Sequence, residues 1–270
     1  MGFFNITKGG DDMELNRIYN EDCLEGMKRI PDGSVDMILC DLPYGTTACK
    51  WDTIIPFEPL WEQYERVIKD NGAIILTAAQ PFTSVLVMSN PKIFRYQWYW
   101  NKNKVTGFAN AKKQPLRNVE DIVVFYKKLP TYKPQGLIEI NKTKKNGKSV
   151  GGETLRKNIE DSSGKGSLRT SGHTYVQKYT NYPRQALYIN SESKTVHPTQ
   201  KPVALFEYLI KTYTNEGETV LDNCMGSGTT AIASMRTGRN YIGFELDEEY
   251  YKVAQKRIID ENNHLESQSL

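Results

Sequence analysis

Apolar and polar positions follow two different periods along the chain, and each change of period predicts a strand next to a helix. Short, mainly apolar runs typical of buried strands lie at 15–19, 35–40, 73–77, 94–100, 121–126, 219–221 and 240–245. Apolar residues spaced three or four apart predict helices at 22–29, 57–69, 81–90, 202–213, 229–237 and 247–259. This alternation predicts an α/β fold built on a mostly parallel sheet.

The pattern is lost between 127 and 195, where lysine, serine, asparagine and glycine dominate. This segment holds 14 Lys or Arg and 5 Asp or Glu, whereas the rest of the chain holds 21 and 27. A basic block on a mildly acidic body indicates a polyanionic partner. We therefore expect two α/β halves, 13–126 and 196–262, around a basic insert at 127–195. A leader or disordered segment at 1–12 and a tail at 263–270 complete the division.

The composition excludes several classes of protein. Of 270 residues, 39% are hydrophobic and 25% are charged, a balance typical of a folded soluble protein. No run approaches the roughly 18 apolar residues that a membrane span needs, and the amino terminus does not resemble a signal peptide, so we expect a cytoplasmic protein. The four cysteines form no C-x-x-C pair and the three histidines are scattered. We therefore expect neither a metal site nor a disulfide framework.

A glycine-rich turn lies between a predicted strand and a predicted helix. Gly226 and Gly228 let the backbone turn sharply and approach a ligand closely. Glu245 ends the next strand, 17 residues after Gly228, where a carboxylate can accept hydrogen bonds from two ribose hydroxyls. The set predicts a nucleoside-binding site, with a plain tight turn as the simpler alternative. A nicotinamide dinucleotide competes because Ala231 completes a G-x-G-x-x-A spacing, but only about 40 residues follow, too few for a second mononucleotide half.

The tetrapeptide Asp41-Leu42-Pro43-Tyr44 follows a predicted buried strand, at the end where open α/β sheets bind ligands. Its residue types suit transfer to an exocyclic amine of a base, whose lone pair is delocalised into the ring. Asp41 and the main-chain carbonyl of Leu42 can accept the two amino hydrogens. Pro43 stiffens this acceptor pair, and Tyr44 offers a ring on which an extruded base can stack.

Three motifs in one order resemble a known family, the S-adenosylmethionine-dependent N6-adenine and N4-cytosine DNA methyltransferases of bacteria and phages. The tetrapeptide at 41–44 is similar to their catalytic D-P-P-Y motif, and 222–230 (DNCMGSGTT) is similar to their glycine-rich cofactor motif. Residues 197–202 (HPTQKP) are similar to the segment that leads into the cofactor site. The catalytic motif precedes the cofactor motif, which is the circularly permuted order of the beta class. The resemblance implies a Rossmann-like class I methyltransferase fold whose basic insert is the target-recognition region.

The resemblance also implies S-adenosylmethionine as the cofactor and assigns roles to residues. The catalytic residues would be Asp41, Leu42, Pro43 and Tyr44. The cofactor contacts would be Asp22, Cys23, His197, Thr199, Lys201, Asp222, Cys224, Gly226, Ser227, Gly228, Thr229 and Glu245. Of these, Asp22 and Cys23 would lie at the adenine, 222–229 at the methionine portion and Glu245 at the ribose. The half at 13–126 would be catalytic and the half at 196–262 would bind the cofactor.

The implied function is site-specific methylation of adenine N6 on a base flipped out of duplex DNA. Family motifs that begin with Asp mostly belong to adenine enzymes. Leu42 replaces the usual first proline, which leaves cytosine N4 methylation or a catalytically inactive DNA-binding module as alternatives. An RNA or protein-glutamine methyltransferase is a third, although those relatives usually place the cofactor motif first. A homodimer and a restriction endonuclease partner, or an orphan enzyme without one, agree with the resemblance.

Basic residues in two regions predict contacts with DNA. In the polar segment 101–118, phosphate contacts are expected from Lys102, Lys104, Lys112, Lys113 and Arg117. In the insert, where tyrosines alternate with basic residues, they are expected from Lys144, Lys145, Lys178 and Arg184. The aromatic residues Trp98, Trp100 and Phe108 either pack in the core or flank the flipped base.

Overall fold

The computed structural model describes residues 5–6, 13–45, 52–145, 174–193, 195–196 and 200–268. The chain divides into two compact units, the first formed by Met1–Lys133 with Arg184–Leu270 and the second by Pro134–Pro183. The first unit contains the α/β fold, and the second contains an antiparallel hairpin. No described helix is long and apolar enough to cross a membrane.

The described elements alternate between strand and helix. In chain order, the strands are β1 Asn5–Ile6, β2 Met13–Glu14, β3 Arg17–Tyr19, β4 Val35–Asp41, β5 Ile68–Ala78, β6 Phe94–Thr106, β7 Arg117–Phe125, β8 Ile138–Lys145, β9 Thr174–Thr180, β10 Ala186–Tyr188, β11 Thr219–Asp222 and β12 Asn240–Phe244. The α-helices are α1 Cys23–Met27, α2 Phe57–Val67, α3 Phe82–Ser89, α4 Val203–Tyr213, α5 Thr229–Arg236 and α6 Glu248–Gln268.

Eight described strands form one sheet in the order β10, β6, β7, β5, β4, β11, β12, β3. Strand β7 runs antiparallel to both neighbours, and the other described pairs of this sheet are parallel. The predicted α/β fold with a mostly parallel sheet is therefore confirmed. Strands β4 and β11 are adjacent, and from them the chain continues to opposite sides of the sheet, to β5 and to β12. The carboxyl ends of such a pair border the crevice in which open α/β sheets bind ligands.

Both faces of the sheet are covered, which explains why β4 is a continuous apolar run rather than an alternating one. On one face, Ile38 and Cys40 pack in a buried cluster with side chains from α1, α2 and α3. On the other face, Met37 and Leu39 pack with side chains from α4 and α5. The strand is thus buried on both sides, and its first polar side chain after Leu39 and Cys40 is Asp41, at its carboxyl end.

Three segments differ from the sequence-based expectation. Strand β5 begins at Ile68, directly after α2, so the helix predicted to Lys69 ends earlier. Strand β6 continues into the polar segment 101–118 as far as Thr106, and β7 begins in it at Arg117. The two strands form a hairpin because backbone pairing between neighbouring strands does not require apolar side chains. Helix α6 continues to Gln268, into the predicted tail, because its polar last turns contain no proline or glycine to end it.

The predicted insert is also divided differently. Its last part contributes β10 to the main sheet, where Leu187 is buried beside β6. In the second unit, β8 and β9 pair antiparallel, and Lys144 lies opposite Tyr175. Paired residues on neighbouring strands share one face of a sheet, so this hairpin presents a lysine and a tyrosine side by side.

Candidate active site

A cavity of about 1060 Å³ opens at the carboxyl ends of β4 and β11 and brings the catalytic and cofactor motifs together. The predicted site residues on its wall are Asp22, Cys23, Asp41, Leu42, Pro43, Tyr44, Lys102, Arg117, Lys201, Asp222, Cys224, Gly226, Ser227, Thr229 and Glu245. Gly228 caps the start of α5. His197 and Thr199 lie outside the described residues.

The carboxylate of Asp41 accepts three hydrogen bonds at the end of β4. Its Oδ1 accepts from the Tyr44 hydroxyl at 2.8 Å and from the Thr77 hydroxyl. Its Oδ2 accepts from the Lys201 ammonium at 2.6 Å. Because a carboxylate has about four lone-pair positions, these contacts leave one position on Oδ2. The Asp41 side chain is 21% exposed, so it reaches the cavity while the protein holds its orientation.

Lys201 is buried between two carboxylates. Its Nζ lies 2.6 Å from Asp41 Oδ2 and 3.5 Å from Glu120 Oε2. Burial acts to lower the pKa of Lys201, but the charges of Asp41 and Glu120 outweigh it and raise the pKa above its ordinary value. Burial acts to raise the pKa of Glu120, and the charges of Lys201 and Lys102 reverse that effect. The ionic contacts thus favour the charged forms of Lys201 and Glu120 and outweigh the opposing effect of burial.

Tyr44 contributes its hydroxyl and its ring separately. The hydroxyl donates to Asp41, and burial, followed by the charges of Asp41 and Glu120, raises the pKa of Tyr44 well above its ordinary value. The hydroxyl therefore stays protonated and acts as a donor. The ring stacks on Phe82, with centroids 5.1 Å apart and planes at 25°. The tetrapeptide's Leu42 is buried and packs in the hydrophobic cluster that contains Ile38 and Cys40.

The glycine turn combines two left-handed residues that suit a closely bound ligand. Gly226 has φ of 53° and Gly228 has φ of 84°, a region that glycine adopts without strain. A Cβ at Gly226 would meet only the Cys224 carbonyl, at 4.0 Å, so its cavity side is open. A Cβ at Gly228 would lie 3.2 Å from the Cβ of Ala254. The first glycine therefore leaves room for a ligand, and the second permits close packing of α5 against α6.

Two acids hold this turn in place. Glu245 Oε2 accepts from the Gly226 N–H at 2.7 Å, and Oε1 accepts from the Asp247 N–H at 2.9 Å. Asp222 accepts from the Cys224 N–H at 3.0 Å and from the Thr230 hydroxyl. Burial raises the pKa of Glu245 above its ordinary value and raises the pKa of Asp222 to about 6.

The start of α1 forms another part of the wall. The Asp22 carboxylate caps this helix by accepting from the N–H groups of Leu24 and Glu25 at 2.8 and 3.3 Å. Cys23 is buried, and the Asn223 amide donates to its sulfur at 3.5 Å. Ser227 is buried and accepts from Arg257. The residues predicted at the adenine and at the methionine portion thus border one space.

These residues fit S-adenosylmethionine. The cavity has an open face at Gly226 for a close ligand, carboxylates at Glu245 and Asp22 for hydroxyl and amine donors, and an anion at Asp41 for the positive sulfur. The cation Lys201 is paired with Asp41 and Glu120, so it adds little repulsion for a positively charged cofactor.

The residues predicted to contact DNA fall into different places. Lys102 is 13% exposed and its ammonium lies 2.6 Å from Glu120 in the cavity wall, so it is paired with a carboxylate beside the cavity; its phosphate contact stays a prediction. Lys104 donates to the backbone carbonyl of Glu192 at 2.8 Å. The other predicted residues have exposed side chains: Lys112, Lys113, Arg117, Lys144, Lys145, Lys178 and Arg184.

The aromatic candidates divide clearly. Trp98 and Trp100 are buried, and their indole N–H groups donate to the Tyr213 hydroxyl and the Ile189 carbonyl at 2.7 Å each. Both are therefore core residues. Phe108 is 68% exposed in the short 3₁₀ turn between β6 and β7, so it alone of the three is free to contact a ligand.

Sequence reasoning missed Thr77 and Glu120. Thr77 lies one residue before the end of the neighbouring strand β5 and pairs in register with Asp41, so a polar residue near the end of an adjacent buried strand was an available signal. Glu120 precedes a predicted strand and follows a basic segment. No sequence signal places it beside Lys201, because the β6–β7 hairpin and the strand order determine that contact.

Comparison with known proteins agrees with this site. The family model of N6/N4 methyltransferases, described as DNA methylase, matches residues 35–256. The chain is 29% identical to the DNA adenine methyltransferase YhdJ of Escherichia coli (strain K12) over 274 residues, covering 95% of this chain and 87% of YhdJ.

Two solved structures share the fold. The M1.HpyAVI–SAM complex matches with a TM-score of 0.59 and 24% identity over 89% of this chain and 98% of the other. The cytosine-N4-specific PvuII DNA methyltransferase matches with a TM-score of 0.62 and 16% identity, covering 91% of this chain and 90% of the PvuII enzyme. The predicted class I methyltransferase fold is therefore confirmed. Because the family model covers most of the chain, including both motifs of the cavity, this chain belongs to the N6/N4 DNA methylase family.

Proposed function

We propose that this DNA methyltransferase transfers a methyl group from S-adenosylmethionine to the N6 amine of an adenine flipped out of duplex DNA. The observation that carries the proposal is the position of the Asp41 carboxylate on the same cavity as the glycine turn at Gly226. Three donors hold this carboxylate, and one of its acceptor positions is left. The Asp that begins the motif favours adenine, as does the similarity to YhdJ, whose name specifies adenine.

The cofactor supplies a methyl group on a positively charged sulfur, and this chain positions the amine in front of it. Asp41 Oδ2 accepts one amino hydrogen, and the carbonyl of Leu42 accepts the other, so that the nitrogen can become more tetrahedral. The base stacks on the face of Tyr44 opposite Phe82. Transfer needs no general base to begin, and its rate comes from in-line positioning and preset acceptors. Glu245 and Asp22 bind the cofactor at its ribose and adenine ends.

DNA binds the first unit through the β6–β7 hairpin, whose exposed lysines Lys112 and Lys113 and exposed Arg117 contact phosphates. The hairpin of β8 and β9 reads the target site, because a two-stranded ribbon fits the major groove. Its Lys144 and Tyr175 share one face. The bacterial source of YhdJ supports a bacterial cytoplasm; a homodimer and an endonuclease partner stay predictions.

The test is to incubate the protein with duplex DNA and labelled S-adenosylmethionine, digest the DNA to nucleosides and identify the labelled species by mass spectrometry. N6-methyladenine supports the proposal. Asp41→Ala should abolish transfer while S-adenosylmethionine still binds, because the carboxylate accepts the amino hydrogen, whereas Glu245 and Asp22 hold the ribose and adenine ends of the cofactor. If the wild-type protein binds the cofactor but leaves the DNA unlabelled, the result would instead support an inactive DNA-binding module.

Cytosine N4 methylation is the second candidate. It is favoured by the fold likeness to the PvuII enzyme, whose name specifies cytosine N4, and the acceptors of Asp41 and Leu42 suit either exocyclic amine. N4-methylcytosine in the same digest would select it.

A further inference from the structure

Four charged side chains form a chain of alternating sign along one side of the cavity. They are Lys102, Glu120, Lys201 and Asp41, with successive N···O distances of 2.6, 3.5 and 2.6 Å. The side chains are 13%, 18%, 6% and 21% exposed in that order. Burying an ion costs several kcal/mol, and an ion pair inside a protein seldom stabilises more than apolar residues of the same volume. Stability alone therefore gives no reason for this arrangement.

Lys201 belongs to the segment that sequence resemblance assigns to cofactor binding, yet its ammonium contacts Asp41. A cofactor with a positive sulfur repels an unpaired ammonium. Lys201 carries its charge between two carboxylates, so the pairing satisfies the lysine without the cofactor. Its backbone carbonyl also accepts from the Thr229 hydroxyl at 3.4 Å, which ties the lysine to the start of α5 behind the glycine turn.

We propose that Lys201 and Glu120 are a positioning pair for the Asp41 carboxylate, and that Lys201 acts on the amine-accepting group rather than on the cofactor. This inference rests on the proposed function, in which Asp41 accepts an amino hydrogen. Tyr44 and Thr77 donate to both acceptor positions of Asp41 Oδ1, and Lys201 donates to one of the two acceptor positions of Oδ2. Lys201 thereby determines which single acceptor position faces the substrate, and it prevents rotation of the carboxylate about its Cβ–Cγ bond.

Glu120 acts through Lys201. Its Oε1 accepts from Lys102 at 2.6 Å, whereas its Oε2 is buried and has no hydrogen-bond partner among the described residues. The ammonium of Lys201 lies 3.5 Å from that oxygen. Glu120 therefore keeps the lysine ammonium on the Asp41 side of the cavity by electrostatic attraction, without competing for its shortest hydrogen bond.

The experiment compares Lys201→Met, Lys201→Arg and Glu120→Gln with the wild type. We measure kcat, the KM for duplex DNA, and the Kd of S-adenosylmethionine by calorimetry. Misplacing a reacting group can cost about 100-fold, so Lys201→Met should lower kcat by about that factor and change the cofactor Kd by less than threefold. Lys201→Arg should recover about a tenth of the wild-type kcat because its charge can still bridge the two carboxylates. Glu120→Gln should lower kcat by about tenfold.

The matched control is Lys128→Met. Lys128 pairs with Asp70 at the same 2.6 Å distance, but both side chains are more than 65% exposed and lie away from the cavity wall. This variant should keep the wild-type kcat. If Lys201→Met weakens the cofactor Kd more than tenfold and leaves kcat at saturating cofactor unchanged, Lys201 is a cofactor residue and the proposal is wrong.

A second variant keeps the test valid if Lys201→Met does not fold. The double variant Lys201→Met/Glu120→Gln removes one positive and one negative charge together. No carboxylate at position 120 is then left without the lysine that paired with it. It should bind the cofactor and have a kcat about 100-fold below that of the wild type, the loss expected for removing Lys201, because Glu120 has no role without the lysine. Wild-type kcat in the double variant would overturn the proposal. The identity of the methylated base, read from wild-type digests, tests the proposed function independently of these ratios.

Discussion

The backbone N–H of Gly226 donates to the carboxylate of Glu245 at 2.7 Å, across the gap between the loops that follow β11 and β12. The other oxygen of Glu245 accepts from the Asp247 N–H. Glu245 therefore holds the cofactor turn in shape before any ligand binds, and each oxygen still has a lone pair for a hydroxyl. We therefore predict that the acid at this strand end binds the cofactor in addition to holding the turn.

Glu245→Gln should weaken cofactor binding by about 10- to 100-fold, or roughly 1.4 to 3 kcal/mol. A glutamine amide has only one oxygen, so its NH₂ group must face either the Gly226 or the Asp247 N–H, and two donors then oppose each other. Calorimetric titration with S-adenosylmethionine measures the effect. The exposed Glu249→Gln on α6 is the control; equal Kd values for both variants would contradict the role of Glu245.

The glycine turn and the tetrapeptide could be located from the sequence because each depends on local constraints. Gly226 needs a left-handed backbone, and Asp41 ends an apolar run; both properties are visible in a few neighbouring residues. The parallel α/β fold was predictable for the same reason, since periodicity records burial on each face.

The partners of those residues could not be predicted. Glu120 reaches Lys201 because β7 lies between β5 and β6 in the sheet, and no local pattern records strand order. Lys102 looked like one lysine among several in a polar loop, yet the extension of β6 turns it toward Glu120. Pairing between distant strands, rather than residue type, decided which lysines face the cavity and which face solvent.

Gly228→Ala should destabilise the protein more than Gly33→Ala does. Both glycines have a positive φ, so both variants incur the cost of about 1–2 kcal/mol for a left-handed alanine. A Cβ at Gly33 meets no atom within 4 Å, whereas one at Gly228 lies 3.2 Å from Ala254 Cβ and 3.3 Å from its Cα. We expect an additional loss of about 1 kcal/mol from this crowding. Urea unfolding measures the free energy of unfolding of both variants. Equal losses would show that α6 shifts away from the new Cβ at position 228 without cost.

Lys112→Ala/Lys113→Ala should weaken DNA binding to a similar extent on any sequence. Each lysine that contacts a phosphate releases about one counterion, so the slope of log K against log salt should become shallower by about 2. Fluorescence anisotropy at several salt concentrations measures the slope. The control Lys28→Ala/Lys252→Ala removes two lysines that are each 58% exposed, on α1's carboxyl end and on α6. The prediction is wrong if the two double variants have the same slope.

The pH dependence of stability should carry a signature of Asp222. Burial raises the pKa of this carboxyl to about 6 in the folded protein, whereas an unfolded aspartate has a pKa of about 3.9. Between these values the folded state retains a proton that the unfolded state has lost. The free energy of unfolding therefore falls as the pH rises through this window, by up to about 3 kcal/mol, and the loss is complete above the folded pKa.

Asp222→Asn removes this titration and keeps an oxygen for the Cys224 N–H, while the Thr230 hydroxyl can turn to accept from the new amide. The free energy of unfolding of the wild type minus that of the variant should therefore decrease from pH 4 to pH 7, as measured by urea unfolding without cofactor. Asp70→Asn is a control for which the pH dependence of stability should have the opposite sign. Its hydrogen bond to Lys128 lowers the pKa of exposed Asp70, so its contribution is lost as the pH falls. A wild-type curve parallel to that of Asp222→Asn would mean that Asp222 has the same pKa in the folded and unfolded protein, and the prediction would be wrong.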